Sequence, residues 1–344
     1  MNRDYLAALA LICPTCRAAG RGDQPLALAH AALEDRGDIV EGALQCAHPS
    51  CLREHPIVDG IPIVVADFAA WSRHQLDAVL RRRDLTPFTT SLLGDAAGPG
   101  TVLDDARRNA SIYGAAHYGA AHDEGGFVDV VRAALALAPP PPALALDLGC
   151  SVGRGTFELA AAGAEVAVGI DLDFAMLQIA ARARARGVAR YERRRSGVVY
   201  EPRETAVPHA AETRAGTAFV CADATNLPFA AGRAAHALAL NVVDCVPDPA
   251  KLLAELARVL APAASAVVAS PYDWTPTATP VAAWLGGHSQ RGELAGAPEA
   301  NLRAALPQLG LALVSDHTNV PWRLRVHDRA TMEYSVHVVH VRRA

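Results

Sequence analysis

Short, unbroken apolar runs alternate with helix-forming stretches through the second half of the chain. Ala143–Leu148 is apolar except for Asp147. Ala164–Asp173, Thr217–Ala222, Ala235–Val243 and Ala264–Ser270 repeat the pattern. Runs of this length, apolar at consecutive positions, predict strands buried on both faces, as in a parallel sheet covered by helices. Between them, Thr156–Ala162 and Pro249–Leu260 are rich in helix formers. The alternation predicts an α/β, doubly wound sheet. Four prolines at 139–142 punctuate the chain before the first run. We expect the sheet to occupy residues 139–344. A polar helical linker and cofactor-covering segment is expected over 67–138, and a small domain over 1–66.

The loops after the strands carry the chemistry. The first run leads into Asp147-Leu-Gly149-Cys-Ser151-Val-Gly153-Arg-Gly155. A glycine turn between a strand and a helix brings backbone N–H groups up to a ligand. Asp171 closes the second strand about 20 residues later, where a carboxylate accepts ribose hydroxyls. Asp223 follows the third, in Cys-Ala-Asp-Ala-Thr-Asn-Leu-Pro-Phe. The turn resembles the first motif of class I S-adenosylmethionine-dependent methyltransferases, with Ser151 in place of the middle glycine. Asp223-Ala224 resembles the segment of that family that meets adenine. The later Asp-Pro-x-x-Leu-Leu-x-Glu-Leu-x-Arg-Val-Leu stretch resembles the family as well. The resemblance implies a Rossmann-like methyltransferase fold and S-adenosylmethionine as cofactor. It implies a cofactor site built from Tyr118, Asp147, Gly149, Ser151, Gly153, Asp171, Leu172, Asp223, Ala224 and Asn241. A dehydrogenase fits the glycine spacing and the Asp223 segment poorly.

Composition narrows the partners. A formal net charge of −4 provides no global basic field, so nucleic acid is disfavoured. Arg81-Arg82-Arg83 reads as a solvated helical face. Arg190–Arg195 lies in an insertion between the second and third strands, either a solvated loop or a clasp for a carboxylate or phosphate. No apolar run is long enough to span a bilayer and no signal peptide is visible, so a cytoplasmic protein is expected. The oligomeric state stays open.

Seven cysteines add a second theme. Cys13-Pro-Thr-Cys16 and Cys46-Ala-His-Pro-Ser-Cys51 form two knuckles, which in a reducing compartment favour metal over a disulfide. Four thiolates suit a closed, tetrahedral, structural Zn2+ site. The second knuckle is longer than usual, and His48 is an alternative to one of its cysteines. Cys150, Cys221 and Cys245 read as packing residues at strand ends. With His55-Pro-Ile-Val-Asp-Gly-Ile-Pro just after, the segment resembles the zinc-ribbon activator of translation-related methyltransferases, here fused to an enzyme.

The acceptor has to be recognised by loops after the later strands. Asn241-Val-Val-Asp244 lacks the paired prolines of enzymes that methylate base amino groups. Ser270-Pro-Tyr-Asp-Trp … Thr-Pro … Trp-Leu-Gly-Gly-His288 crowds Tyr272, Trp274 and Trp284 into one loop. That loop resembles the methyltransferase domain of ovothiol biosynthesis, which methylates a ring nitrogen of a thiolated histidine. Tyr113, His117-Tyr118-Gly119 and Val320-Pro321-Trp322 extend the resemblance over about residues 111–343. It implies a small sulfur-bearing histidine as acceptor. Asp244, Tyr272, His288 and His327 are then the catalytic candidates, with His288 and His327 as bases. Tyr113, Trp274, Trp284, Arg323 and Arg325 are the substrate contacts, with an arginine forked onto the acceptor carboxylate. The competing readings are an RNA methyltransferase whose ribbon holds its substrate, and a non-enzymatic activator that retains a cofactor site.

Overall fold

The computed structural model describes residues 1–68, 70–71, 75, 98–119, 126–291 and 294–344. Arg81–Arg83 lie outside the described residues, as does much of the expected 67–138 linker. The elements run in the order α1 (Arg3–Leu9), α2 (Pro14–Ala18), β1 (Leu26–Asp35), β2 (Asp38–Cys46), β3 (Glu54–Val58), β4 (Ile61–Pro62), α3 (Val102–Tyr118), α4 (Phe127–Leu137) and β5 (Leu144–Leu148). They continue with α5 (Arg154–Ala161), β6 (Val166–Asp171), α6 (Phe174–Arg186), β7 (Val188–Ser196), β8 (Val199–Ala206), α7 (Ala210–Thr213), β9 (Thr217–Cys221) and β10 (Ala234–Leu240). The last are α8 (Pro249–Val259), β11 (Leu260–Ser270), α9 (Pro298–Gln308), β12 (Leu311–His327) and β13 (Ala330–Arg343).

Seven strands form the central sheet in the order β12-β13-β11-β10-β5-β6-β9. The pairs β10–β11, β10–β5, β5–β6 and β6–β9 are parallel, whereas β13 runs antiparallel to both neighbours. The chain leaves β5 towards β6 and β9, then returns to β10 and β11 on the other side. Ligands of doubly wound sheets sit at that reversal, outside the carboxyl ends of the strands. The fold is therefore the α/β, Rossmann-like sheet that the apolar runs predict.

Local chemistry sets the helix ends. Asp173 accepts hydrogen bonds from the N–H groups of Ala175 (2.9 Å) and Met176 (3.3 Å) at the start of α6, and Gly187 ends that helix at φ 73°. Asp248 caps α8 through the Lys251 N–H at 2.9 Å, with Pro249 in the first turn. Both arrangements satisfy N–H groups that a helix start leaves without partners.

Residues 190–214 contain a structure that the sequence reading left as a loop. β7 and β8 form an antiparallel hairpin that is clamped onto α3. Arg107 forks onto Glu192 at 2.9 and 3.1 Å, and the Ser111 hydroxyl accepts from the Arg194 N–H at 2.7 Å. A Cβ on Gly114 would lie 2.5 Å from the Tyr191 ring, so only glycine lets the hairpin close on the helix.

The first 66 residues form a four-stranded sheet, β1-β2-β3-β4, that shares its apolar side with the large one. Leu9, Leu11, Ile39, Leu44 and Ile57 belong to the same buried cluster as Leu146, Val220 and Leu252. The backbone joins too: the Ile12 N–H donates to Pro228 O at 2.9 Å and the Val64 N–H to Cys221 O at 2.7 Å. Polar pairs frame this contact. Arg17 binds Glu255, which also accepts from the Leu227 N–H at 2.8 Å, and Arg184 forks onto Asp38 at 2.8 and 3.2 Å. No helix among the described residues is long and apolar enough to cross a membrane.

Candidate active site

The glycine turn sits at the reversal point and has no room for side chains. Gly149 and Gly153 have φ of 74° and 89°. A Cβ on Gly149 would meet Val242 at 2.7 Å, and one on Gly153 would meet Ala180 at 2.7 Å and Phe219 at 2.8 Å. Ser151 takes a left-handed conformation as well, φ 50°. Its N–H donates to Asp171 Oδ2 at 2.8 Å, and Asp171 Oδ1 accepts from the Asp173 N–H at 2.9 Å. The end of β6 thereby holds the turn in place. Burial pushes the Asp171 carboxyl up to about 6.

Asp147 lies beneath the turn, where Thr156 Oγ1 donates to it at 2.8 Å. Burial raises its carboxyl to about 7, against the lowering effect of the threonine bond. The folded value exceeds the unfolded one. The stabilisation from binding this proton is complete below about pH 4 and is lost as pH rises towards 7. Asp147→Asn should therefore flatten the fall in melting temperature of the ligand-free protein between pH 4 and 7. An unchanged slope would remove the assignment.

The other expected cofactor contacts lie along the same edge. Asp223 Oδ1 is tied into its own loop by the Thr225 N–H and hydroxyl, both at 2.7 Å, and Ala224 is buried beside it. Leu172 is 43 % exposed, and its carbonyl accepts from Trp71 Nε1 at 3.1 Å. Asn241 follows β10 with φ 55°, and its amide oxygen and nitrogen are buried without a hydrogen-bond partner. Ser151 Oγ and Asp244 Oδ1 are in the same state. Buried polar atoms are normally satisfied, so these four orphans on three residues mark where a polar ligand belongs. Tyr118 is placed differently. It is fully buried and donates to Val152 O at 2.7 Å, which braces the turn.

The acceptor side is ringed by aromatic groups. Burial, and then Cys245, Asp171 and Asp244, push the Tyr113 phenol up. Asp244 is 3 % exposed, accepts from the Asp273 N–H at 2.7 Å, and is raised by burial. Trp274 stacks on Trp284 at 5.9 Å and 13°, with its own Nε1 buried and unpartnered. Trp284 Nε1 donates to Thr279 O at 2.8 Å, which ties the loop down. Tyr334 donates to Asp273 Oδ2 at 2.9 Å.

The histidine placed among these groups is not one of the two the sequence pointed to. His288 is exposed on the loop, and His327 lies at the tip of the β12–β13 hairpin with Nδ1 accepting from the Arg329 N–H at 3.2 Å. His337 on β13 instead bonds Tyr272 Oη through Nδ1 at 2.7 Å and Asp316 through Nε2 at 2.9 Å. Arg303, then burial and His337, act on Asp316, and the net effect holds its carboxyl below the usual range. A carboxylate only accepts, so Nε2 carries a proton, and in the neutral ring Nδ1 is then the atom that accepts from the Tyr272 hydroxyl. Arg323 and Arg325 also stand elsewhere. Arg323 pairs with Glu333 at 3.1 Å, and both arginines line a cavity beside α3, described below.

At the N-terminus, Cys13, Cys16, Cys46 and Cys51 bring their sulfurs within 4.8 Å of one another. Cys13–Cys51 and Cys16–Cys46 are 4.0 and 3.7 Å apart, and His55 Nε2 lies 3.8 Å from Cys13 Sγ. The His48 ring is turned into its own loop, accepting from the Ser50 N–H at 3.2 Å, so the fourth sulfur is Cys51 and not a histidine substitute.

Residues 146–268 match the family model described as a methyltransferase domain. The match covers the glycine turn, Asp171, Asp223 and β10–β11. The chain thus carries a class I S-adenosylmethionine-dependent methyltransferase domain and is an enzyme. No curated protein sequence matches it. Among solved structures, it is similar to the [4+2]-cyclase SpnF at 15 % identity, over 74 % of this chain and 96 % of that one, with a TM-score of 0.44. It is similar to a SAM-dependent methyltransferase from Aquifex aeolicus at 12 % identity, over 70 % and 97 %, TM-score 0.40. A Methanosarcina mazei SAM-dependent methyltransferase aligns at 19 % identity, over 58 % and 92 %, TM-score 0.37.

Proposed function

We propose that the enzyme methylates a ring nitrogen of a small sulfur-bearing histidine. The observation that carries this reading is the acceptor side of the site. Two stacked indoles lie beside unpartnered polar atoms at Asp244 Oδ1 and Trp274 Nε1. A planar heterocycle with an N–H or ammonium group and a hydrogen-bond acceptor complements that set. The cofactor, when bound, supplies an electrophilic methyl group on a sulfonium centre. Asp171 receives the ribose hydroxyls, Asn241 and Ser151 offer their unpaired groups to the rest of the cofactor, and Asp244 orients the acceptor.

Methylating a ring N–H nitrogen releases a proton. The Tyr272 oxygen accepts it while its own proton moves to His337 Nδ1, and Asp316 stabilises the imidazolium that forms. Tyr272→Phe and His337→Gln are each expected to lower kcat by roughly tenfold to a thousandfold with little change in KM. Unchanged kcat in both variants would reduce Tyr272 to packing.

We assign residues 1–66 to a zinc ribbon, 67–138 to a connecting and cofactor-covering segment, and 139–344 to the methyltransferase domain. Tetrahedral Zn–S bonds near 2.3 Å put sulfurs about 3.8 Å apart, close to the spacings of Cys13–Cys51 and Cys16–Cys46. With four thiolate ligands the zinc has no open position, so its role is structural. A cytoplasmic location keeps those thiols reduced. An RNA acceptor would need a basic ribbon face, but Arg3 and Arg17 are paired with Glu34 and Glu255. The deciding experiment is incubation with labelled S-adenosylmethionine and a panel of thiohistidine and histidine derivatives. Label in a thiohistidine is expected; label only in added RNA would overturn the reading.

A further inference from the structure

A cavity of about 1000 Å³ opens beside α3, and Tyr118 and Arg154, which adjoin the glycine turn, form part of its wall. On α3, Ala115, Ala116 and Tyr118 line the cavity, and Tyr113 does not. Its other walls are the start of α4, the β7–β8 hairpin and the far end of the β12–β13 hairpin. Among the described residues, Arg132, Arg154, Arg193, Arg203, Arg323 and Arg325 line it with Asp129, Asp328 and Glu333; Arg132, Arg154, Arg203 and Arg323 are paired with Asp129, Glu158, Glu201 and Glu333.

Arg193 is the informative one. It is 6 % exposed, yet its Nη2 has no hydrogen-bond partner. Its Nη1 donates to Arg325 O at 3.2 Å, and its Nε is 3.7 Å from Asp328, whose other oxygen is taken by Arg195. Leaving a guanidinium donor buried and unmet is costly, and an oxyanion held against Arg193 in the cavity is a partner that would meet it. Burial lowers the Arg193 pKa. Asp328 opposes this, while Arg325 and Arg203 add to it. The start of α4 adds to the field, because Gly126 lines the cavity and gives the helix no side-chain cap. The positive end of the dipole favours an anion there, a place that Asp129 of the first turn shares. The walls are prebuilt, since Arg107–Glu192, Ser111–Arg194 and the Gly114–Tyr191 contact lock the hairpin to α3.

We propose that this cavity is a second ligand site that binds a small molecule carrying two or more carboxylate or phosphate groups. The forked guanidinium of Arg193 reads one oxyanion from inside, and the rim arginines hold the other. The site is independent of the acceptor assigned above. It also gives the β7–β8 hairpin, an insertion between the second and third parallel strands, something to do.

The test is calorimetric titration of the full chain with inorganic pyrophosphate and, separately, with citrate, at constant ionic strength. Saturable one-to-one binding of at least one probe is expected, and the preferred probe distinguishes a phosphate ligand from a carboxylate one. Affinity should fall tenfold or more in Arg193→Lys, which keeps the charge and loses the fork. The same fall is expected in Arg203→Gln, a half-exposed rim change that stands in if the Arg193 variant melts early. No saturable binding of either probe, or unchanged affinity in both variants, would overturn the proposal. Displacement of the probe by an RNA hairpin that binds a hundredfold more tightly would overturn it in favour of a nucleic-acid surface.

Discussion

Replacing Cys13 with serine is expected to unfold the N-terminal ribbon and to destabilise the methyltransferase sheet with it. The ribbon's own core is small, and three of its four clustered sulfurs are buried. A structural zinc site contributes on the order of 10 kcal/mol to folding of the segment that holds it. Whole domains are stable by only about 5–15 kcal/mol. Because Leu9, Leu11, Ile39 and Ile57 pack in one cluster with Leu146 and Val220, the loss does not stay local. Metal analysis should find about one zinc per chain in the native protein and none in the variant. The melting temperature should fall by about 10 °C or more, as a loss of several kcal/mol implies for a chain of this size. The same melting curve and zinc content in both proteins would remove the metal site.

The second large effect concerns the cofactor. Asp171→Ala should weaken S-adenosylhomocysteine binding about a hundredfold or more. Two hydrogen bonds from ribose hydroxyls to a carboxylate contribute about 1.5–3 kcal/mol each, and 1.4 kcal/mol is tenfold in affinity. The carboxylate also receives the Ser151 N–H, so its loss slackens the glycine turn. In the free enzyme burial sets the Asp171 carboxyl at about 6. Below that value it is protonated and has to give up its proton to bind the cofactor. Wild-type affinity should therefore weaken as pH falls from 7 to 5, and Asp171→Asn should show no such slope. Calorimetry across that range reads both effects, and unaltered affinity in Asp171→Ala would end the ribose assignment.

What was legible in the chain follows from how local each signal is. β5, β6, β9 and β10 are buried on both faces, so each shows as an apolar run, and the turn and carboxylates at their ends follow by position. The two cysteine knuckles are also local and come together as four sulfurs. β7 and β8 were not legible as strands. They alternate arginine and glutamate with single buried residues such as Tyr191 and Arg193, because they pack on a helix and an arginine-lined cavity instead of an apolar core. The Tyr272–His337–Asp316 chain was invisible for another reason. Its members lie 65 and 21 residues apart, and only the register of β12, β13 and β11 brings them together. His288 and His327 drew attention by standing near aromatic and basic residues in sequence, which says nothing about the face of the fold they occupy. Arg323 and Arg325 were misplaced for the same reason, since the long hairpin carries them past the site.

The contact between Ile63 and Cys221 has a further consequence. β9 is the last strand of the seven, and every residue of Thr217–Cys221 is buried. Ile63 bridges it in parallel, and Val64 donates to it. An apolar edge strand with open N–H and C=O groups is a template for pairing with another chain, and proteins blunt or cover such edges. Here the first 66 residues are the cover. Cutting them away would leave that edge open to pairing with its own copies, so the shortened chain is expected to self-associate.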